Sequence, residues 1–178
     1  MKYLILSDFH GNISAYEKLP SIADKVKPDG IIFLGDNCDG NGAYPVNNVL
    51  DKIFYPLQTV VGNCDHYSIV NSLNVGILGN SEAREDNGKT LFFTHGHLYD
   101  NYHLPPILKE GDIFFYGHYH FPDVTINHGV YCVCVGSMGR PRAGSDQSYC
   151  VYENGVIRLI SAEKDTVLVE IDTNKIKL

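Results

Sequence analysis

Apolar and polar positions fall into two regimes along the chain. Early on, short unbroken apolar runs alternate with amphipathic or turn-rich stretches. Lys2 to Leu6 is such a run, as are Gly30 to Leu34, Thr59 to Val61, Lys89 to Thr94 and Ile113 to Tyr116. A short run without alternation reads as a strand covered on both faces. Ser14 and Glu17 have capping-box spacing ahead of Tyr16, Leu19, Ile22, Ala23 and Val26. That predicts a helix, kinked or restarted at Pro20. Pro45 to Ile53 predicts a second helix with proline in its first turn. Asn87-Gly88 is a hairpin signal before the Lys89 strand. From Asp123 onward strands succeed one another directly. Val124 to Ile126 and Val130 to Val135 flank Asn127-His128-Gly129, Tyr149 to Tyr152 and Val156 to Ile160 flank Glu153-Asn154-Gly155, and Val167 to Ile171 is a last strand. Alternating α and β succeeded by a run of β predicts an α/β protein with two packed sheets and helices outside. No repeat or low-complexity linker divides the chain, so residues 1–178 read as a single domain.

Composition narrows the function classes. A chain of 178 residues buries roughly 70% of its unfolded surface and needs no disulfide or metal to build a core. Apolar residues at 44% and charged residues at 20% exclude disordered, collagenous and coiled-coil classes. The net charge of −7 gives no overall attraction for nucleic acid or an anionic bilayer. Tyr3 to Leu6 is too short for a signal-peptide core or a membrane span. The five cysteines contain no C-x-x-C pair and are odd in number, which favours free thiols in a reducing compartment. The expectation is a soluble cytoplasmic protein with no nucleic-acid or membrane partner. Its late strands could pair edge to edge into a homo-oligomer.

The carboxyl ends of the early strands carry the informative residues. The first strand ends in Ser7-Asp8-Phe9-His10-Gly11 and the second in Gly35-Asp36. The Thr59, Lys89 and Ile113 strands end in Gly62-Asn63-Cys64-Asp65, Thr94-His95-Gly96-His97 and Gly117-His118-Tyr119-His120. Five strands thus deliver Asp, Asn or His at the edge where α/β sheets build their sites. Mixed oxygen and imidazole donors suit Mn²⁺, Fe²⁺ or Zn²⁺. Asp8, His10, Asp36, Asn63, His95, His118 and His120 are too many for one tetrahedral ion. They fit two ions sharing a carboxylate, an arrangement used for in-line phosphoryl displacement.

In order and spacing, Asp8-x-His10, Gly35-Asp36, Gly62-Asn63-Cys64-Asp65, His95 and Gly117-His118-x-His120 resemble the calcineurin-like metallophosphoesterase superfamily. Cys64, Thr94-His95-Gly96-His97 and Gly136-Ser137 are similar to its small YfcE-type phosphodiesterases. The resemblance implies a four-layer αββα sandwich. It implies one ion on Asp8, His10, Asp36 and His120, and another on Asp36, Asn63, His95 and His118. It implies Asp36 as the bridge, and a metal-bound hydroxide attacking a small soluble phosphodiester in line. The expected cofactor is a pair of divalent ions, Mn²⁺ first, with Fe, Ni or Zn as alternatives.

The catalytic set is then Asp36, Asn63 and His97. His97 enters as the nearest imidazole, because Cys64 stands where many relatives carry a His that assists the leaving group. Cys64, Arg140 and Arg142 are candidate substrate contacts, since arginine forks suit phosphate. His66 is a weaker candidate, Asp39 either supports the site or faces water, and Tyr99, Tyr102 and Tyr119 either line a substrate pocket or pack. Cys132 and Cys134 read as buried strand residues. The competing reading is an inactive scaffold similar to a retromer-coat subunit, against which stands the complete set of motif side chains.

Overall fold

The computed structural model describes residues 1–39 and 43–175. Twelve strands and four helices occur among them. The first sheet has seven strands, in the order β12 (Val167–Asp172), β11 (Val156–Ser161), β10 (Ser148–Glu153), β1 (Lys2–Leu6), β2 (Gly30–Phe33), β3 (Leu57–Thr59) and β4 (Gly76–Ile77). The second has five, in the order β5 (Ser81–Asp86), β6 (Lys89–Thr94), β7 (Ile113–Tyr116), β9 (Val130–Val135) and β8 (Pro122–Asn127). β1, β2 and β3 run parallel, as do β6, β7 and β9, while the late strands β10 to β12 are antiparallel.

The unbroken apolar runs arise because alternate residues enter different cores. In β1, Leu4 and Leu6 pack with the helices, whereas Tyr3 and Ile5 face the second sheet. In β7, Ile113 and Phe115 join that inter-sheet core, whereas Phe114 and Tyr116 point to the opposite face. Cys132 and Cys134 share this outer face and are buried, as expected. The helices α1 (Ile13–Tyr16), α2 (Leu19–Val26), α3 (Tyr44–Leu50) and α4 (Tyr67–Val70) all lie in the first half of the chain. The architecture is the expected layered sandwich. Its outer layer on the second sheet is the connection between β6 and β7, whose Tyr99, Leu104 and Leu108 pack on Phe92, Phe114 and Tyr116.

Local expectations needed correction at several points. The capping box does not form: Asn12 is the N-cap, its side chain accepting from the Ala15 N–H, and Ser14 donates to Asn12 instead. The helix restarts as α2 with Pro20 in its first turn, where the missing N–H costs nothing. β3 lies two residues earlier than its apolar pattern, and α3 ends at Leu50 rather than Ile53. β5 carries Glu82, Arg84, Glu85 and Asp86, a polar composition that hides an edge strand from hydrophobicity.

Candidate metal centre

The loops after β1, β2, β3, β6 and β7 meet at one end of the two sheets and are joined by backbone bonds. The N–H groups of Asp8, His10 and Gly11 donate to Gly35, Asp36 and Asn37 carbonyls at 3.1, 2.8 and 2.8 Å. Gly117 N–H donates to the His95 carbonyl at 2.8 Å, and Gly139 N–H to the Asp8 carbonyl at 2.9 Å. Two glycines permit this closeness. A Cβ on Gly62 would collide with Asp36 Oδ1, and one on Gly117 with Ser7 Oγ.

Five of the seven predicted ligands have left-handed backbones: Asp8 (φ 56°), His10 (51°), Asp36 (52°), His118 (67°) and His120 (64°). Such non-glycine conformations cost roughly 1–3 kcal/mol each and concentrate at functional sites. In both Asp-x-His and His-x-His the two strained residues flank one ordinary residue. The turn therefore aims both side chains into the same space.

The polar atoms that converge there divide into two groups meeting at Asp36. In one, His10 Nε2 lies 3.2 Å from His120 Nε2 and 3.7 Å from both Asp8 Oδ1 and Asp36 Oδ2. His120 Nε2 lies 3.1 Å from Asp8 Oδ1. In the other, His95 Nε2 lies 3.3 Å from Asp36 Oδ2, 3.0 Å from Asn63 Oδ1 and 3.3 Å from His118 Nδ1. One oxygen of Asp36 thus borders both groups, while its other oxygen accepts from the Cys64 N–H at 2.8 Å. All seven predicted ligands are brought together. The Cys64 sulfur joins them, within 4.8 Å of ligand atoms of His10 and Asp36.

The donor set calls for a cation. His10 Nδ1 faces Asp39 Oδ1 at 2.6 Å, and His120 Nδ1 faces the Arg140 carbonyl at 2.8 Å. Each Nδ1 therefore meets an acceptor, and the two Nε2 atoms are turned toward each other. His95 Nδ1 likewise donates to the Leu34 carbonyl at 2.8 Å and turns its Nε2 inward. Asp8 Oδ1 is buried without a hydrogen-bond partner. Ligand atoms this closely gathered, with one carboxylate oxygen unpartnered, suit a cation between them.

The charges respond accordingly. Burial opposes ionisation of Asp36, but hydrogen bonding and charge from His95, with the Cys64 N–H, hold its carboxyl well below the ordinary range. Burial disfavours a charged His95, yet Asp36 and Asp8 outweigh it and raise that pKa. Burial and then His95 lower the pKa values of His97 and His118. Burial, then the Asp36 charge, push the Cys64 thiol up to about 12.

The remaining candidates surround the centre. His97 is exposed, its ring 5.4 Å from that of His95. Arg140 directs its guanidinium to Asp39 Oδ2 at 2.7 Å, and Asp39 in turn grips His10. Arg142 is exposed and its side chain makes no ion pair among the described residues. His66 is exposed at the start of α4. Sequence reasoning gave Asp65 no task. Buried, it accepts from the N–H groups of Asp36, Asn37 and Gly62 at 2.8, 2.8 and 2.9 Å and so fixes the Asp36 turn. The available signal was a second acid behind a Gly-Asn turn, facing a Gly-Asp turn on the neighbouring strand.

Known proteins resemble the chain in sequence and in fold. The calcineurin-like phosphoesterase superfamily domain matches residues 1–155. The chain is 27% identical to phosphodiesterase YfcE of Escherichia coli strain K12, covering 98% of this chain and 99% of that one. The solved structure of that phosphoesterase from E. coli superposes with a TM-score of 0.83 at 26% identity, covering 98% of this chain and all 100% of the other. Vps29 of Entamoeba histolytica, solved with zinc, shares the fold with a TM-score of 0.61 at 16% identity, covering 98% and 100%.

Proposed function

The chain belongs to the calcineurin-like phosphoesterase superfamily and is a phosphoric diester hydrolase, and from that premise we propose that it works with two divalent ions on either side of Asp36. Asp8, His10, Asp36 and His120 hold one. Asp36, Asn63, His95 and His118 hold the other. The observation that carries this reading is the inward-facing set of ligand atoms with Asp36 Oδ2 common to both halves. Two such ions supply a strong nucleophile at neutral pH and neutralise charge developing on phosphorus.

The chain's own groups do the positioning. Asp36 Oδ1 is held by the Cys64 N–H, so its Oδ2 is free to bridge. Asp39 and the Arg140 carbonyl orient His10 and His120, as partners behind metal-binding imidazoles commonly do. We therefore assign Arg140 to support of Asp39 rather than to the phosphate. His97 and Cys64 stand at the rim as the side chains nearest a departing group. Arg142, without an ion pair among the described residues, is the cation for an outer phosphate oxygen. Mixed oxygen and nitrogen donors favour manganese, with iron, nickel or zinc as alternatives.

We read the whole chain as one such domain acting on a small phosphodiester. The charge of −7 speaks against a polymer grip on nucleic acid. Among the described residues no helix is long and apolar enough to cross a membrane. The five free thiols favour the cytoplasm. The scaffold reading draws on the fold shared with Vps29, but all motif side chains are present here, which favours catalysis. The test is chelator stripping and then reloading with each divalent ion, assayed on bis-p-nitrophenyl phosphate. Turnover should vanish and return with metal. Undiminished turnover by the stripped chain would contradict the proposal.

A further inference from the structure

A second concavity opens one aromatic ring away from the metal centre. The ring of His118 contacts that of Tyr119 at 5.5 Å between centroids, and Tyr119 forms a wall of a pocket of about 180 Å³ completed by Tyr102, Tyr116, Phe121, Asp123 and Thr125. The volume is below the roughly 300–1,000 Å³ of sites for drug-sized ligands, so it suits a single ring system. Asp100 braces two of these tyrosines. Its Oδ2 accepts from the Tyr119 hydroxyl at 3.0 Å, and its Oδ1 accepts from the Tyr102 and His103 N–H groups at 2.9 and 2.8 Å. This fixes the backbone of residue 102 beside Tyr119, with Tyr102 as a whole 77% exposed.

The polar groups inside are unspent. Thr125 Oγ1 is buried with no hydrogen-bond partner. Among the described residues the Asp123 carboxylate makes no side-chain hydrogen bond or ion pair, although it lines the same space. Aromatic walls favour a flat ring by stacking. An unpaired carboxylate and a lone hydroxyl favour one whose edge carries N–H donors. The Tyr119 ring is shared between this pocket and the surroundings of His118.

We propose that the pocket receives a nucleobase, which makes the substrate class a nucleoside-bearing phosphodiester. The inference rests on the phosphodiesterase reading above. It adds Tyr102, Asp123 and Thr125 as residues that determine specificity while leaving the chemistry at phosphorus untouched.

The experiment compares two manganese-loaded reactions with one leaving group: the p-nitrophenyl ester of guanosine 5′-monophosphate and methyl p-nitrophenyl phosphate. The nucleoside ester should show the higher kcat/KM by at least about fivefold, the lower end of what stacking on an aromatic ring contributes. Tyr102→Ala and Asp123→Asn should erase most of that advantage through KM and leave the methyl ester unaffected. Tyr102 is exposed, so its truncation does not threaten folding. Equal kcat/KM for the two esters in the parent chain, or equal losses for both in the variants, would overturn the pocket assignment while the phosphodiesterase reading stands. Failure to cleave either ester or bis-p-nitrophenyl phosphate would overturn the reading beneath it. Direct binding separates the two further. The chain has 12 tyrosines and no tryptophan, so guanosine added to metal-free protein should quench tyrosine emission saturably, and Tyr102→Ala should weaken this. No saturable quenching in the parent chain would overturn the proposal.

Discussion

The two halves of the centre are built differently, although they meet at one carboxylate. Asp8, His10 and His120 are all buried, and each imidazole is gripped from behind, by Asp39 or by the Arg140 carbonyl. On the other side His95 is buried and held by the Leu34 carbonyl, but Asn63 is exposed and His118 only half-buried. His97, Cys64 and the aromatic pocket all border this open half. The contrast teaches a division of labour. One half is a closed cage held from behind, and the other is open, which makes it the side we propose substrate meets.

Asp36→Asn should have the largest effect because it strikes both halves. We expect a fall in kcat on bis-p-nitrophenyl phosphate on the order of a thousandfold, the scale of several kcal/mol of lost charge stabilisation. Equal activity would remove Asp36 as the shared ligand. His120→Ala and His118→Ala sharpen the comparison next. Metal analysis after dialysis should find that each loses the ion of its own half and keeps the other. Loss of both ions in both variants would mean that the halves are not separate sites.

Asp39→Ala should come next, weakening metal affinity or activity by about 10–100-fold, the usual cost of removing a partner behind a metal-binding histidine. Arg140→Ala should cost less, since its pairing with Asp39 is made by a largely exposed side chain and such pairs contribute little. An Arg140 variant as damaged as the Asp39 variant would return that guanidinium to the phosphate. The smallest catalytic effect belongs to Asp65→Asn. It should lower unfolding free energy by about 1.5–3 kcal/mol, the value of hydrogen bonds to a charged group, as read from denaturant midpoints. Unchanged stability would show that the Asp36 turn holds itself.

Much of this was legible in the sequence, and the reasons are physical. β1, β2, β6 and β7 are flanked by packing layers, so their apolar runs stand out, and the glycines after them mark where backbones approach ligands. The seven convergent side chains could be named because Asp, Asn and His each come just after a buried strand. β5 was hidden, since an edge strand with one wet face carries charges. The N-cap at Asn12 was masked by a Ser14–Glu17 spacing that imitates one. Support of the site was one of two readings for Asp39, but its partner His10 could not be named, and the task of Asp65 was not read at all. A carboxylate that clamps a turn on the neighbouring strand, or an imidazole 29 positions away, has no local periodicity.

The central claim is tested most directly by diffraction from crystals grown with manganese, using its anomalous signal. Two peaks roughly 3.5–4 Å apart, the spacing of paired-ion sites, should flank Asp36 Oδ2, one against His10 and His120 and the other against His95 and His118. A single peak, or two peaks that do not share Asp36, would contradict the account.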